Sequence, residues 1–230
     1  RVAAVDGRGM SPEALRGLVA SPGPPRPLTG PEVGCFQSHR HCWQVLLSGE
    51  APAAIVFEDD LYIAENAATM FSDLSWLPAD ADFVRLETWR NHVALGEPVT
   101  RVAGRGVHRL YSRTFGAAAY IVTRSGASCA LALSQPIPAT ADDFLFNSEF
   151  PYFRNFVHYQ VAPAPCIQER RVREKPRKFP SSISPVPQRP RRFDKLISET
   201  TRIFRHGPRR TAVMLETRLR GRRWMVVEHG

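Results

Sequence analysis

Three successive acids, Glu58, Asp59 and Asp60, close the apolar run Ala53-Ala54-Ile55-Val56-Phe57. A run of that length and composition reads as a buried strand, so the acids fall where the strand meets solvent. Carboxylates this close repel one another, and a divalent cation is the usual means of offsetting the repulsion. Residues i and i+2 of an extended backbone point to one side. Glu58 and Asp60 are therefore paired as candidate ligands of Mn²⁺ or Mg²⁺, directly or through water. A metal-diphosphate site is the chemistry such an edge supports. A solvated acidic strand end is the alternative, and three acids without context do not choose between them.

The surrounding elements supply that context. Thr29-Gly30-Pro31-Glu32 has the spacing of a capping box, with the Thr29 hydroxyl accepting from the Glu32 amide. Behind it Cys35, Phe36, His39, Cys42, Trp43, Leu46 and Leu47 recur at three- and four-residue steps and share a helix face, which Ser48-Gly49 ends. Cys35, His39 and Cys42 raise the question of zinc. Three ligands on one helix without a fourth partner argue against it, and favour a core helix whose Ser38 and His39 hydrogen-bond neighbouring loops. Residues 1–10 read as the end of a strand entering a Gly-rich turn, Ser11-Pro12-Glu13 as a short helix start, and 21–27 as a proline-rich loop. Further strands are expected at 83–87, 107–111, 117–123 and 157–162, and helices at 66–74, 125–133 and 143–150. Tyr120 either packs in its strand or touches an acceptor, and its setting favours packing. The alternation of strand and helix predicts an α/β fold with a mostly parallel central sheet.

The 230 residues are 43% hydrophobic, enough for one sizeable core. No apolar run reaches the eighteen or so residues of a spanning helix, and the first residues do not form a charged-then-apolar leader, so a soluble or peripheral chain is expected. The four cysteines form no CxxC pair, which fits a reducing, cytoplasmic compartment. The net charge of +9 is uneven: from Gln168 onward there are 18 Lys or Arg against 6 Asp or Glu. Residues 170–192, rich in Arg, Lys, Pro and Ser, read as a linker, and 193–205 and 212–227 as basic amphipathic helices. The division expected is a domain at 1–169, a linker at 170–192 and a basic helical extension at 193–230. Such an extension suits an anionic partner: a phosphorylated glycolipid, the inner face of the cytoplasmic membrane, or nucleic acid. The aromatics are not interleaved as a stacking platform requires, which argues against nucleic acid. A solvated arginine-rich tail without a partner is the alternative, and none of these features bears on oligomeric state.

The stretch 32–44, with Gly34-Cys35-Phe36-Gln37-Ser38-His39, followed after about ten residues by Ala54-Ile55-Val56-Phe57-Glu58-Asp59-Asp60, resembles the signature of glycosyltransferase family 25. Gly116-Ala117-Ala118-Ala119-Tyr120-Ile121-Val122-Thr123-Arg124-Ser125-Gly126-Ala127 is similar to a further family segment. Asp142-Asp143-Phe144 stands at the family's acidic position, and Pro165-Cys166-Ile167-Gln168 at its P-x-x-x-Q-like ending. The resemblance covers roughly residues 1–170.

It implies a GT-A-like nucleotide-sugar domain in which Glu58-Asp59-Asp60 stands in for a D-x-D metal motif. It also implies transfer of a hexose, galactose in many members, from a UDP-sugar to a lipooligosaccharide or related glycan with inversion. Inversion in one displacement needs a carboxylate base. Asp142 and Asp143 are the candidates, either of which is alternatively the cap of the following helix, and Glu87 competes from another strand end. The resemblance keeps Ser38, His39, Asp59 and Asp6 near the donor. Members commonly open with a hydrophobic-I-N-L strand and an Arg-containing helix; here Arg1–Gly7 matches the later A-x-D-G turn instead, so an N-terminally incomplete domain is expected. The competing reading is an inactive transferase-like module docking on membrane through its basic end. A metal-dependent phosphohydrolase or nuclease lacks the additional His and Asp ligands of a two-metal site.

Overall fold

A computed structural model describes residues 1–21, 26–172 and 221–230. Ser11 caps a short helix, α1 (Pro12–Leu18), by accepting from the Ala14 amide. The capping box forms as its spacing predicts. Thr29 Oγ1 accepts from Glu32 N, the Glu32 carboxylate accepts from Thr29 N, and α2 runs over Gly30–Ser48 to Gly49. Its apolar face, with Val33, Phe36, Trp43 and Leu46 buried, lies on the central sheet. The segment 1–10 has no regular structure, against the strand end expected there. It closes on α2 so tightly that a Cβ at Gly34 would sit 2.6 Å from Val5 O.

β1 (Ala53–Phe57) and β2 (Leu61–Ile63) follow α2, then α3 (Ala68–Ser72), β3 (Phe83–Arg85), β4 (Glu87–Thr88), β5 (His92–Val102), β6 (Arg105–Leu110) and β7 (Ala119–Thr123). The remaining elements are α4 (Arg124–Leu133), α5 (Ala141–Phe146), β8 (His158–Ala162), β9 (Cys166–Gln168) and β10 (Arg223–Val226). The large sheet has the order β1-β7-β3-β8-β6-β5-β10, and a small one the order β2-β9-β4. Alternate residues of β7 serve opposite cores. Tyr120 and Val122 face α2, α4 and α5 with Phe83, Phe144 and Phe146, whereas Ala119 and Ile121 face Met70, Val84 and Leu86.

The α/β class holds, but the sheet is mixed and largely antiparallel, which corrects the expectation of a mostly parallel one. Among the described pairings between strands, only β3 with β8 and β4 with β9 are parallel. Strands such as β7 and β8 are buried because both faces are covered, and coverage does not depend on strand direction. The β5–β6 hairpin also breaks the alternation. Ala103 and Gly104, both at positive φ, make its two-residue turn. β5 hides from pattern reading because Pro98 and Gly96 interrupt it, and the ladder shifts register on both sides of Pro98. The strand expected at 83–87 divides into β3 and β4, which join different sheets.

The C-terminal residues correct a second expectation. The described part of the predicted helix 212–227 is β10, paired antiparallel with β5 and alternating exposed and half-buried, as a β-strand over the free edge of a sheet does. Val227 O accepts from Thr88 Oγ1 at 2.5 Å, and Glu228 O from Ala164 N at 2.7 Å. The rest of that helix, the helix expected at 193–205, and the linker beyond residue 172 lie outside the described residues, as do 22–25 of the proline-rich loop. Among the described residues no helix is long and apolar enough to cross a membrane.

Candidate active site

The small sheet assembles the acidic site. β1 ends at the edge of the large sheet, where Glu58 N donates to Ala118 O at 2.8 Å, and the chain turns through Asp59 and Asp60 into β2. β9 pairs with β2 so that Gln168 stands opposite Leu61, next to Asp60, while β4 on its other side carries Glu87. The cleft above this corner is lined by Glu58, Asp60, Asp142, Asp143, His39 and Gln168, together with Cys35, Trp89, Gly116, Arg26 and Arg170.

Glu58 and Asp60 both line the cleft, and Asp59 between them is exposed. Asp59 and Asp60 lie in the turn between β1 and β2 rather than on an extended strand, so the turn and not strand alternation brings Glu58 and Asp60 together. Gln168 binds both: its Nε2 lies 3.3 Å from Glu58 Oε2 and 3.4 Å from Asp60 Oδ1. The other end of the amide fixes this orientation. Gln168 Oε1 accepts from Trp89 Nε1 at 3.2 Å and from Arg170 Nη2 at 3.0 Å, so the nitrogen must face the acids. Burial, and then the neighbouring Glu58, raise the Asp60 carboxyl above its ordinary range, while Gln168 and Arg170 oppose the rise. Converging hard oxygen donors, with the charged form of Asp60 disfavoured by burial, fit Mg²⁺ or Mn²⁺.

Of the three candidate bases, two reach the cleft. Asp142 and Asp143 sit in the first turn of α5, but the cap is Thr140, whose Oγ1 accepts from Asp143 N; the alternative of an aspartate cap is overturned. Asp142 accepts from Thr140 Oγ1 at 2.7 Å and from Gly116 N at 3.2 Å. Asp143 is engaged by Arg113 at 2.9 Å and Asn147 at 2.7 Å. Glu87 lies beneath the cleft floor with no exposed surface. Its Oε1 accepts from Ala118 N at 2.7 Å and lies 3.4 Å from Arg85, whereas its Oε2 is buried without a partner. Burial lifts this carboxyl to about 7 against the pull of Arg85, and Glu58 adds to the rise. Gly116 screens it from the cleft. At φ +81° it has the one backbone that fits, and a Cβ there would stand 2.9 Å from Glu87 Oε1.

Three of the residues expected near the donor, Asp6, Ser38 and Asp59, do not line the cleft. Asp6 is exposed and paired with Arg8, whose guanidinium holds it down at about 2, and it does not line the cleft. Ser38 accepts from Val5 N and donates to Gly34 O, both at 2.9 Å, which ties the N-terminal chain to α2 as the loop-bonding reading expects. His39 does reach the site. Its Nδ1 bonds Tyr120 Oη at 2.9 Å, and its Nε2 lies 3.5 Å from Glu58 Oε1. Burial alone would lower this imidazole; Tyr120, Cys35 and Glu58 outweigh it and hold it well above its usual value. Tyr120 is fully buried and also accepts from Trp43 Nε1, so it packs rather than touching an acceptor. Cys42 packs against the core, whereas Cys35, His39 and Glu58 converge with their ligand atoms within 4.8 Å of one another. Trp89 and Arg170 are site residues that no periodicity in the sequence singles out.

Residues 11–145 match glycosyltransferase family 25 (LPS biosynthesis protein), and the chain belongs to that family. The match includes the helix, the acidic strand end and Asp142-Asp143, and stops short of Gln168. Among relatives, the chain is similar to the lipooligosaccharide biosynthesis protein lic2B of Haemophilus influenzae, at 30% identity over 68% of this chain and 60% of that protein. It is similar to the lipooligosaccharide biosynthesis protein lex-1 of Haemophilus influenzae at 32%, over 63% and 51%. It is also similar to the lacto-N-neotetraose biosynthesis glycosyltransferase LgtB of Neisseria meningitidis serogroup B at 32%, over 68% and 59%. The chain thus spans between about half and three-fifths of the length of these curated relatives.

Proposed function

We propose that this chain carries the donor and metal site of an inverting glycosyltransferase that moves a hexose from a UDP-sugar to a lipooligosaccharide or related glycan. The observation that carries the reading is the clamp of Gln168 on Glu58 and Asp60, in a cleft that also holds Asp142. Glu58 and Asp60 would hold Mn²⁺ or Mg²⁺, which when bound offsets the charge on the departing diphosphate. Arg170, stacked 4.6 Å from the Trp89 ring centroid at the cleft edge, adds positive charge beside the diphosphate. Asp142 takes the proton of the acceptor hydroxyl. Its contacts with Thr140 and Gly116 aim it, whereas Asp143 is drawn to Arg113 and positions the turn. Glu87 supports the floor through Ala118 rather than touching substrate.

The lipooligosaccharide acceptor follows the names of the relatives; galactose, the UDP donor, inversion and a GT-A-like fold follow the family resemblance. We place the enzyme in the cytoplasm, on the inner membrane face, because the charge after residue 170 suits anionic lipid. The test is incubation of the chain with UDP-galactose, Mn²⁺ and a lipooligosaccharide lacking its terminal hexose, with the anomeric configuration of the product read by NMR. A β-linked hexose from the α-linked donor supports the reading, and retention or no transfer by a chain that binds UDP contradicts it.

A further inference from the structure

Glu58 presents its two oxygens to different chemistries. Oε2 faces Gln168 on the side shared with Asp60, whereas Oε1 faces α2, 3.9 Å from Cys35 Sγ and 3.5 Å from His39 Nε2. Cys35 and His39 stand one helical turn apart, so their side chains meet on one face, and β1 delivers Glu58 as the third member. We propose that Cys35, His39 and Glu58 form a binding site for a borderline-soft divalent cation, Zn²⁺ above all, distinct from the hard-cation site of Glu58 and Asp60.

The spacing fits. Around tetrahedral zinc, with bonds of about 2.1 Å to nitrogen and oxygen and about 2.3 Å to sulfur, ligand atoms lie roughly 3.4–3.6 Å apart. The two separations to Glu58, 3.5 and 3.9 Å, need shifts of only a few tenths of an ångström, and all three ligand atoms lie within 4.8 Å of one another. The histidine is also held as a zinc ligand is held. Its second nitrogen, Nδ1, bonds Tyr120 Oη at 2.9 Å, and Tyr120 is fixed in turn by Trp43 Nε1 at 3.0 Å. A rigid partner on the far nitrogen orients the ring and leaves Nε2 for the metal. Cys35 and Glu58 are half-buried and line the cleft, so a fourth position opens to water. Thiolate and imidazole ligands select zinc over magnesium or manganese, which prefer oxygen. Coordination releases the Cys35 thiol proton and the His39 Nε2 proton to solvent. Because Glu58 is common to both sites, zinc at Oε1 withdraws charge from Oε2 and weakens the hard-cation site, so the cation ratio sets the fraction of competent chain.

The zinc site goes beyond the transferase reading and is tested apart from it, by titrating the whole chain with Co²⁺ as a spectroscopic stand-in for zinc, whereas its coupling to the hard-cation site rests on that reading. One equivalent should give the thiolate-to-cobalt charge-transfer band, displaceable by Zn²⁺. The band should vanish in Cys35→Ser and persist in both Cys42→Ser and Asp60→Ala. Absence of the band from the wild type, or its survival in Cys35→Ser, overturns the proposal. With zinc bound, the Mn²⁺ concentration for half-maximal UDP binding should rise at least tenfold, and no rise overturns the coupling through Glu58. Loss of UDP binding in Asp60→Ala without loss of the cobalt band separates the two sites.

Discussion

The amide nitrogen of Gln168 lies 3.4 Å from Asp60 Oδ1, and the same atom reaches Glu58, so one neutral side chain holds two acids that would otherwise repel. Residues that orient metal ligands in this way typically contribute about 10–100-fold to affinity or activity. Gln168→Ala should therefore raise the Mn²⁺ concentration for half-maximal activity by about 10–100-fold. Circular dichroism should show the fold intact. An unchanged metal requirement would mean that Gln168 merely fills space.

Asp142 and Asp143 are neighbours with different partners, and their amide variants should separate. Asp142→Asn should lower kcat by about 10²–10⁴-fold while metal-dependent UDP binding persists, as loss of a general base does. Asp143→Asn removes a half-exposed ion pair with Arg113, and should cost about 1 kcal/mol or less of stability and under about tenfold in kcat. Steady-state kinetics on both variants decides, and the reverse ranking would move the base to Asp143.

Much of this site was legible because its signals are local. The Thr29–Glu32 box, the periodic face of α2 and the acidic end of β1 each depend on residues within a few positions of one another, and each formed where the spacing put it. Strand direction was not legible, since β7 and β8 are buried on both faces whichever way they run. Nor was the convergence of Gln168 with Asp60, 108 residues apart, because the β2–β9 pairing that creates it joins three-residue strands without a periodic signal. The zinc question turned on the same blindness: reading along one helix offered Cys42 as third partner, and the fold supplied Glu58 instead.

Glu87 makes stability depend on pH. Its folded value of about 7 stands above the ordinary 4.5, so its contribution is fully present below pH 4.5 and is lost as pH rises through 7. Glu87→Gln keeps an acceptor for Ala118 N and removes the titration. In EDTA, the melting temperature of the variant should fall less between pH 5 and pH 8 than that of the wild type. Parallel curves would show that Glu87 ionises normally.

Gly116 is tested by one methyl group. Gly116→Ala forces a side chain into positive φ against Trp89 and both Glu87 oxygens, at 2.9 and 3.1 Å. Stability should drop by about 1–3 kcal/mol in denaturant titration. Because Gly116 N also holds Asp142, transfer should fall further than the stability loss explains. Wild-type stability and activity in this variant would contradict the close approach.

The proposed function rests on Glu58 and Asp60 forming a metal-dependent site for a nucleoside diphosphate. Calorimetric titration of UDP into the chain, with and without Mn²⁺, and into Asp60→Ala, tests it most directly. Binding should require Mn²⁺ and disappear in Asp60→Ala. UDP binding that is indifferent to Mn²⁺, or that survives in Asp60→Ala, would contradict it.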